Sequence, residues 1–242
     1  MKKNYEMDMC SGPILGKLLT FTIPLIFSGI LQLLFNAADV IVVGRFAGSQ
    51  SLAAVGSTTA LINLMINIFI GLSVGVNVIV ARYYGAKREK DVQDTIHTAM
   101  ALSIVSGLFL IVMGQLLSRP MLELMGTPDD VIDKSTIYMR IIFIGMPANM
   151  IYNFGSAILR AVGDTKRPLY FLTAAGVINV VLNLFFVIMF RMDVAGVALA
   201  TAISQAISAC LVILCLMESE GGLKLHLKAL KIHRSKFRQI IQ

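Results

Sequence analysis

Charge is what this chain has least of. Asp, Glu, Lys and Arg make up 14% of its 242 residues, against about 25% in a soluble globular domain. Meanwhile 57% of the residues are hydrophobic and the mean hydropathy is +0.79. So few charges cannot clothe a water-facing surface of this size, so the solvent is mostly lipid. Cysteine is scarce as well. Cys10, Cys210 and Cys215 show no CxxC or metal-ligand spacing, which excludes a disulfide framework and a zinc site. Cys210 and Cys215 lie in an apolar run, where a free thiol behaves as a small hydrophobe. Histidine pairs are missing too: His97 falls at a span start, and His226 and His233 fall in a basic tail. With no HExxH, GxSxG or P-loop, and no second intramembrane carboxylate for acid–base work, the chain reads as a non-enzyme without a cofactor. An ATP-driven pump would need a nucleotide domain that this sequence does not carry. The N-terminus has Lys2 and Lys3 but no short apolar region leading to a small-residue cleavage site, so the first apolar run reads as an uncleaved span.

Long apolar runs take up most of the sequence. A helical span needs about 20 mostly apolar residues. Six stretches qualify: 18–43, 53–81, 96–117, 136–159, 169–190 and 195–217. They lack period-2 alternation and are too long for barrel strands, and Gly and Ala recur in them as close helix packing in lipid requires. The Leu, Met and Phe positions read as packing or lipid-facing surface. The expected architecture is all-α: a polytopic membrane protein with a six-helix bundle at 18–217, an N-terminal segment at 1–17 and a basic linker at 218–242.

The net charge of +7 forms no single patch for nucleic acid. Six spans put the tails and the connections after spans 2 and 4 on one side, which then holds sixteen of the 21 basic residues. Arg45, Arg119, Lys134, Arg140 and Arg191 fall on the other. The positive-inside rule therefore places both termini in the cytoplasm. Gly163-Asp164-Thr165 reads as a helix stop and turn, with Pro168 near the start of the next helix. Thr127-Pro128-Asp129-Asp130 marks an outer loop. The tail after Glu218 alternates basic residues with Leu223, Leu225, Leu227, Leu230 and Ile232. That pattern fits an amphipathic segment on an anionic leaflet or a solvated linker, and the residues leave both open.

Asp39 is the acidic residue out of place, because it sits inside span 1 with Ile41, Val42 and Val43 still to follow. A carboxylate in lipid is costly and normally faces a protein interior or an aqueous cavity, where it has a function. Ser28, Gln32, Asn36 and Asp39 lie at offsets of four, four and three, close to one helix face. Asn179 and Asn183 share a face of span 5, and Thr201, Ser204, Gln205 and Ser208 a face of span 6. Span 4 begins with Tyr138 and carries Asn149, Tyr152 and Asn153. Such residues often hydrogen-bond between membrane helices, which is the plainer reading for Asn63, Asn67 and Asn77 in span 2. A carboxylate offers only acceptors unless it is protonated. Asp39 among amide and hydroxyl oxygens therefore suits either a proton or a hard cation such as sodium.

Several segments, in order, resemble the MATE (multidrug and toxic compound extrusion) family. Ile23-Pro24-Leu25, Asn36-Ala-Ala-Asp39 and Val43-Gly44-Arg45-Phe46 resemble the family's first helix and its exit. Leu52-Ala53-Ala54-Val55-Gly56 resembles the entry to the second helix, and Ala81-Arg82-Tyr83-Tyr84-Gly85-Ala86 the loop after it. The run from Leu159 to Pro168 is similar to the loop after helix 4, while Asn179-Val-Val-Leu-Asn183 and Gly196-Val-Ala-Leu-Ala-Thr201 are similar to helices 5 and 6. Each fragment is weak alone, but their order along nearly the whole chain makes the match specific.

The resemblance implies secondary export of organic, often cationic, compounds, driven by inward proton or sodium flow across a bacterial inner membrane. It implies a cation site at Asp39, Asn179, Asn183 and Thr201, with Tyr138 implicated in some members and sodium as one occupant. Some members carry a second aspartate where this chain has Asn183, which puts a two-carboxylate protonation scheme in doubt. Pro24 matches a first-helix proline able to kink the helix. Gln32, Asn36, Asn149, Asn153 and Gln205 are further candidates to line a cavity. The family has two six-helix lobes as parallel repeats with substrate between them. This chain is expected to be the N-terminal lobe, its partners being lipid, a small organic cation and a second lobe or a second copy of itself. A non-transporting membrane remnant or subunit is one alternative. A lipid or oligosaccharide flippase is another, which the lack of cationic residues in the interiors of the spans argues against.

Overall fold

The computed structural model describes residues 14–241, and the side chains of 15–241. Cys10, Lys2, Lys3 and most of the expected N-terminal segment therefore lie outside the described residues. Within them the chain is helical throughout and contains no strand. The apolar runs become α1 (Ile14–Val42), α2 (Ser49–Gly85), α3 (Glu89–Leu124), α4 (Asp129–Ile144), α5 (Met146–Ala161), α6 (Lys166–Leu184) and α7 (Asp193–Glu218). A short α8 (Arg234–Ile241) closes the described chain.

Five of these helices are long and apolar enough to cross a membrane alone, and α4 with α5 makes a sixth span bent by 47°. The sequence predicts one span over 136–159. It begins earlier, at Asp129, and breaks at Gly145. The cause is local. Pro147, near the start of α5, has no N–H to offer the Phe143 carbonyl, and its ring crowds that carbonyl. Gly145 ends α4 through bonds to the Ile141 and Ile142 carbonyls. The bent span sits at the centre of the lobe, with Met139, Phe143, Met146, Met150, Phe154 and Ile158 all fully buried.

Small residues decide how closely the neighbours approach. A Cβ at Gly107 on α3 would collide with the backbone of Pro147, and one at Gly114 with the Phe143 ring. Gly155 on α5 receives Val212 of α7, and Gly176 on α6 receives the Phe35 ring of α1. This is the close packing that helices in lipid rely on, since lipid supplies no hydrophobic drive between them. α5 packs on α2, α3 and α7, whereas α1 is peripheral and leans chiefly on α6. Its outer face, including Leu15, Ile26, Leu33 and Ile41, is exposed as a lipid-facing surface would be.

Two helices end in π-turns. α1 runs into Val43–Ala47 and α6 into Phe185–Met189, and the two turns touch each other at one end of the lobe. Gly48, at φ 90°, lets the chain swing from the first π-turn into α2. At the opposite end, Gly163 at φ 85° lets Asp164 N–H reach the Leu159 carbonyl (3.0 Å) and close α5. Buried Asp164 then accepts the Arg167 backbone N–H at 3.1 Å and pairs with the Arg167 guanidinium, which caps α6. The stop-and-turn expected at Gly163-Asp164-Thr165 is thus present, with Pro168 in the first turn of α6.

Part of the tail packs back on the helices. Leu225 N–H bonds back to the Leu216 carbonyl (3.0 Å), and Leu223 and Leu225 are buried. All three histidines meet there. His97 Nε2 accepts the His226 backbone N–H at 3.1 Å and the two rings stack, while His233 N–H donates to Thr98 Oγ1 at 3.1 Å. On α8, Lys236 is buried with its ammonium 2.5 Å from Asp91 Oδ1 and over the Tyr83 ring, whose hydroxyl donates to Gln239. Charge complementarity and a cation–π contact therefore hold the tail against the start of α3 and the end of α2.

Candidate cation site

The candidate site sits at the π-turn end, where the last turns of α1 and α6 meet the third turn of α7. Asp39 lies one turn before the first π-turn, and Asn183 two residues before the second. Asn183 is fully buried and its amide Nδ2 donates to Asp39 Oδ1. Asn179, one turn back on α6, is also buried and lies between Asp39 and Thr201. Asp39 itself is half-buried. One carboxylate thus meets Asn183 and Asn179 of α6, and Asn179 in turn reaches Thr201 of α7.

The orientation of the Asn179 amide changes the chemistry. With its nitrogen toward the carboxylate, it donates to Asp39 Oδ1 at 2.8 Å and its oxygen accepts from Thr201 Oγ1 at 3.2 Å. That arrangement satisfies both ends of the amide. With the amide reversed, Nδ2 donates to Thr201 Oγ1 (3.2 Å) and the oxygen receives Asn183 Nδ2 (3.2 Å). The Asn179 oxygen then faces the Asp39 oxygen, a contact favourable only with a proton or cation between them. Among the described residues, Asn183 Oδ1 is buried without a donor. A native buried polar atom without a partner needs an explanation, and an extra electron pair for a cation is one.

Tyr138 of α4 is buried and within electrostatic reach of Asp39. Pro24 is buried within α1, with Ser28 Oγ donating to its carbonyl at 2.8 Å. The other candidates lie apart. Gln32 and Asn36 are exposed on α1. Asp39 follows Asn36 by three residues, a step about 60° short of a full circle, so the two side chains diverge and Asn36 is exposed where Asp39 is half-buried. Asn149 and Asn153 are half-buried and bond to each other on α5, with Asn153 Nδ2 donating to Asn149 Oδ1 at 2.9 Å. Gln205 is half-buried one turn beyond Thr201, while Ser204 and Ser208 turn their hydroxyls back onto the Thr201 and Gln205 carbonyls. In α2, Asn77 donates to the Ala157 carbonyl of α5 at 2.8 Å, the interhelical bond expected of it, whereas Asn63 and Asn67 are exposed.

The sequence did not reveal the two π-turns beside Asp39 and Asn183, or the ion pair of Lys134 with Asp193 (2.7 Å) beyond them. π-turns within helices concentrate at functional sites, but they leave no composition signature. The ion pair joins residues far apart in sequence. The positive φ of Asp193 (53°) and Arg191 (52°) shows only in the backbone.

The family model MatE matches residues 24–185. The chain belongs to the MATE family. The probable multidrug resistance protein YoeA of Bacillus subtilis is 35% identical over 188 residues, which are 76% of this chain and 41% of YoeA. The probable multidrug resistance protein YpnP of the same organism is 31% identical over 83% of this chain and 45% of its own length. A FAD transporter of Shewanella oneidensis is 27% identical over 83% of this chain and 45% of that protein. A crystal structure of MATE in the bent conformation matches with a TM-score of 0.86 at 24% identity, over 93% of this chain and 50% of that one. An outward-facing multidrug resistance MATE transporter matches with a TM-score of 0.85 at the same identity and coverage. The chain spans about half the length of the MATE relatives it matches. Its fold is one half of that of the matched MATE structures.

Proposed function

We propose that this chain forms the cation-coupling lobe of an efflux antiporter, which exports small organic, cationic compounds against an inward flow of sodium or protons. The observation that carries the reading is the Asp39 cluster: a carboxylate among Asn179, Asn183 and Thr201, with the Asn183 oxygen left without a donor. Asp39 supplies the charge, and the amide and hydroxyl oxygens supply neutral ligands of the kind a hard cation takes. A proton on Asp39 would serve the reversed Asn179 orientation equally well. The cluster joins α1 to α6 and α7, so its occupancy would bias how α1, with Pro24 in its first half, leans on α6. A ligand shifts such an equilibrium only by its differential affinity for the two arrangements.

The multidrug substrate class comes from YoeA and YpnP, which are named for it. In this reading the lobe lies in a bacterial inner membrane with both termini cytoplasmic, and a second six-helix lobe completes the substrate cavity. The test is Asp39→Asn in a full-length version of the transporter. Ethidium resistance is expected to vanish while the protein still inserts at the wild-type level. Efflux from everted vesicles, driven in turn by a sodium and by a proton gradient, names the ion. Unchanged export by Asp39→Asn would remove the basis of the assignment.

A further inference from the structure

Two layers of residues continue the elements of the Asp39 cluster toward the π-turn end. The inner one is apolar. Val43 from the first π-turn, Val187 from the second, and Val194 and Val197 from α7 are all buried there. The outer layer is ionic. Lys134 of α4 places its ammonium 2.7 Å from Asp193 Oδ2 at the start of α7, and 3.1 Å from Ser51 Oγ in the first turn of α2.

Each member of the outer layer continues an element that also carries the pocket. Lys134 is one turn ahead of Tyr138 on α4, Asp193 about two turns ahead of Thr201 on α7, and Ser51 follows the π-turn that begins just after Asp39. Ser51 is fully buried, while the Lys134 and Asp193 side chains are 35% and 33% exposed. The layer thus has one face inside and one at the surface.

Two further observations mark this junction as more than a surface ion pair. Arg191 and Asp193 both hold positive φ in the short reversal between α6 and α7, a conformation that persists only where surrounding contacts impose it. Asp193 Oδ1 is buried and has no hydrogen-bond partner among the described residues. The reversal is also tight, because a Cβ at Gly196 would come within 2.9 Å of the Phe186 Cβ at the second π-turn. Releasing Lys134 from Asp193 would free the reversal, and with it the second π-turn next to Asn183.

We infer that Lys134, Asp193 and Ser51 form an ionic closure that must part before water on the π-turn side can reach the Asp39 pocket. These are positioning residues, acting through the α6–α7 reversal and the valine layer. The inference builds on the reading of the Asp39 cluster as the cation pocket, and it adds the barrier that keeps that pocket from leaking toward one side of the membrane.

The test uses Val43→Cys, a nearly isosteric change in the valine layer, with Cys10, Cys210 and Cys215 replaced by serine and the whole chain in lipid nanodiscs. Its reaction with the water-soluble quaternary ammonium reagent MTSET is followed by mass spectrometry. Lys134→Met is expected to speed that reaction about threefold, the scale on which a partly exposed ionic contact acts on an opening equilibrium. The charge swap Lys134→Asp with Asp193→Lys should return it toward the slow rate. A cysteine at Ala99, buried near the start of α3 at the opposite end, should keep its slow rate in every variant. If Lys134→Met leaves the Val43→Cys rate unchanged, or speeds the Ala99→Cys rate equally, the closure is overturned. The labelling reads the barrier whichever ion is carried. Loss of Asp39-dependent coupling is read separately by Asp39→Asn, so the two ideas fail independently.

Discussion

At the scale of single residues, the pocket depends on who donates to Asp39. Asn183 is the member with the least freedom: it is fully buried, bonded to Asp39, and followed two residues later by a π-turn. Asn183→Leu keeps the volume and removes both the donor and the unpartnered oxygen. Leaving a buried charged acceptor short of a donor costs about 1–3 kcal/mol or more. Half-saturation for dye efflux in the full-length protein is therefore expected to rise about tenfold for sodium, which loses an oxygen ligand, and to fall for protons, because a carboxylate short of a donor holds its proton more tightly, with expression unchanged. A half-saturation equal to wild type would show that Asn183 is only a packing residue. Asp39 and the pair at 179 and 183 were legible in the sequence because a charge inside an apolar run and an i, i+4 spacing are both written in one dimension. Asn36, expected to line a cavity, is exposed on α1 and lies about 60° around the helix from Asp39, since residues three and four apart look equivalent on paper although they step in opposite directions about the axis. The partner of Lys134 could not be read at all, because only the folded bundle brings Asp193 beside it.

At the scale of elements, the six apolar runs gave the spans, and the interruptions carry the information the runs do not. The fourth span bends because Pro147 and Gly145 weaken its hydrogen-bond ladder, and the bend seats Pro147 against Gly107 of α3. That contact is backbone against backbone, so an added methyl at Gly107 has no flexible side chain to displace. Overpacking of this kind costs about 1–3 kcal/mol. Gly107→Ala should lower the midpoint of thermal unfolding in detergent, whereas Gly71→Ala, at a site with open space around it, should not. Equal midpoints for the two variants would mean that α3 and α5 can slide apart at no cost. The tail shows the other limit of reading from sequence. Its alternating leucines and lysines fit a leaflet, a linker or a docked strap alike. What docks it is long-range: the buried His97 on α3 and the Asp91 carboxylate facing Lys236.

At the scale of the whole molecule, the two ends of the lobe differ in charge, and this bears on which way it sits in a membrane. The short connection from α2 to α3 and the tail after α7 lie at one end, tied by the His97–His226 and Asp91–Lys236 contacts. They carry most of the basic residues outside the spans, whereas the π-turn end carries Arg45, Lys134 and Arg191 with several carboxylates. Each Lys or Arg near an anionic cytoplasmic leaflet is worth about 1 kcal/mol, and acidic residues add little to the bias. A surplus this one-sided should therefore fix a single orientation with the basic end inside. In a cysteine-free background, Thr127→Cys in the α3–α4 connection should react with a membrane-impermeant maleimide in intact cells. Lys87→Cys in the α2–α3 connection should react only after permeabilisation. The reverse pattern would turn the lobe over, put the Lys134–Asp193 closure on the cytoplasmic side, and require the coupling ion to meet that barrier on leaving the pocket instead of on entering it.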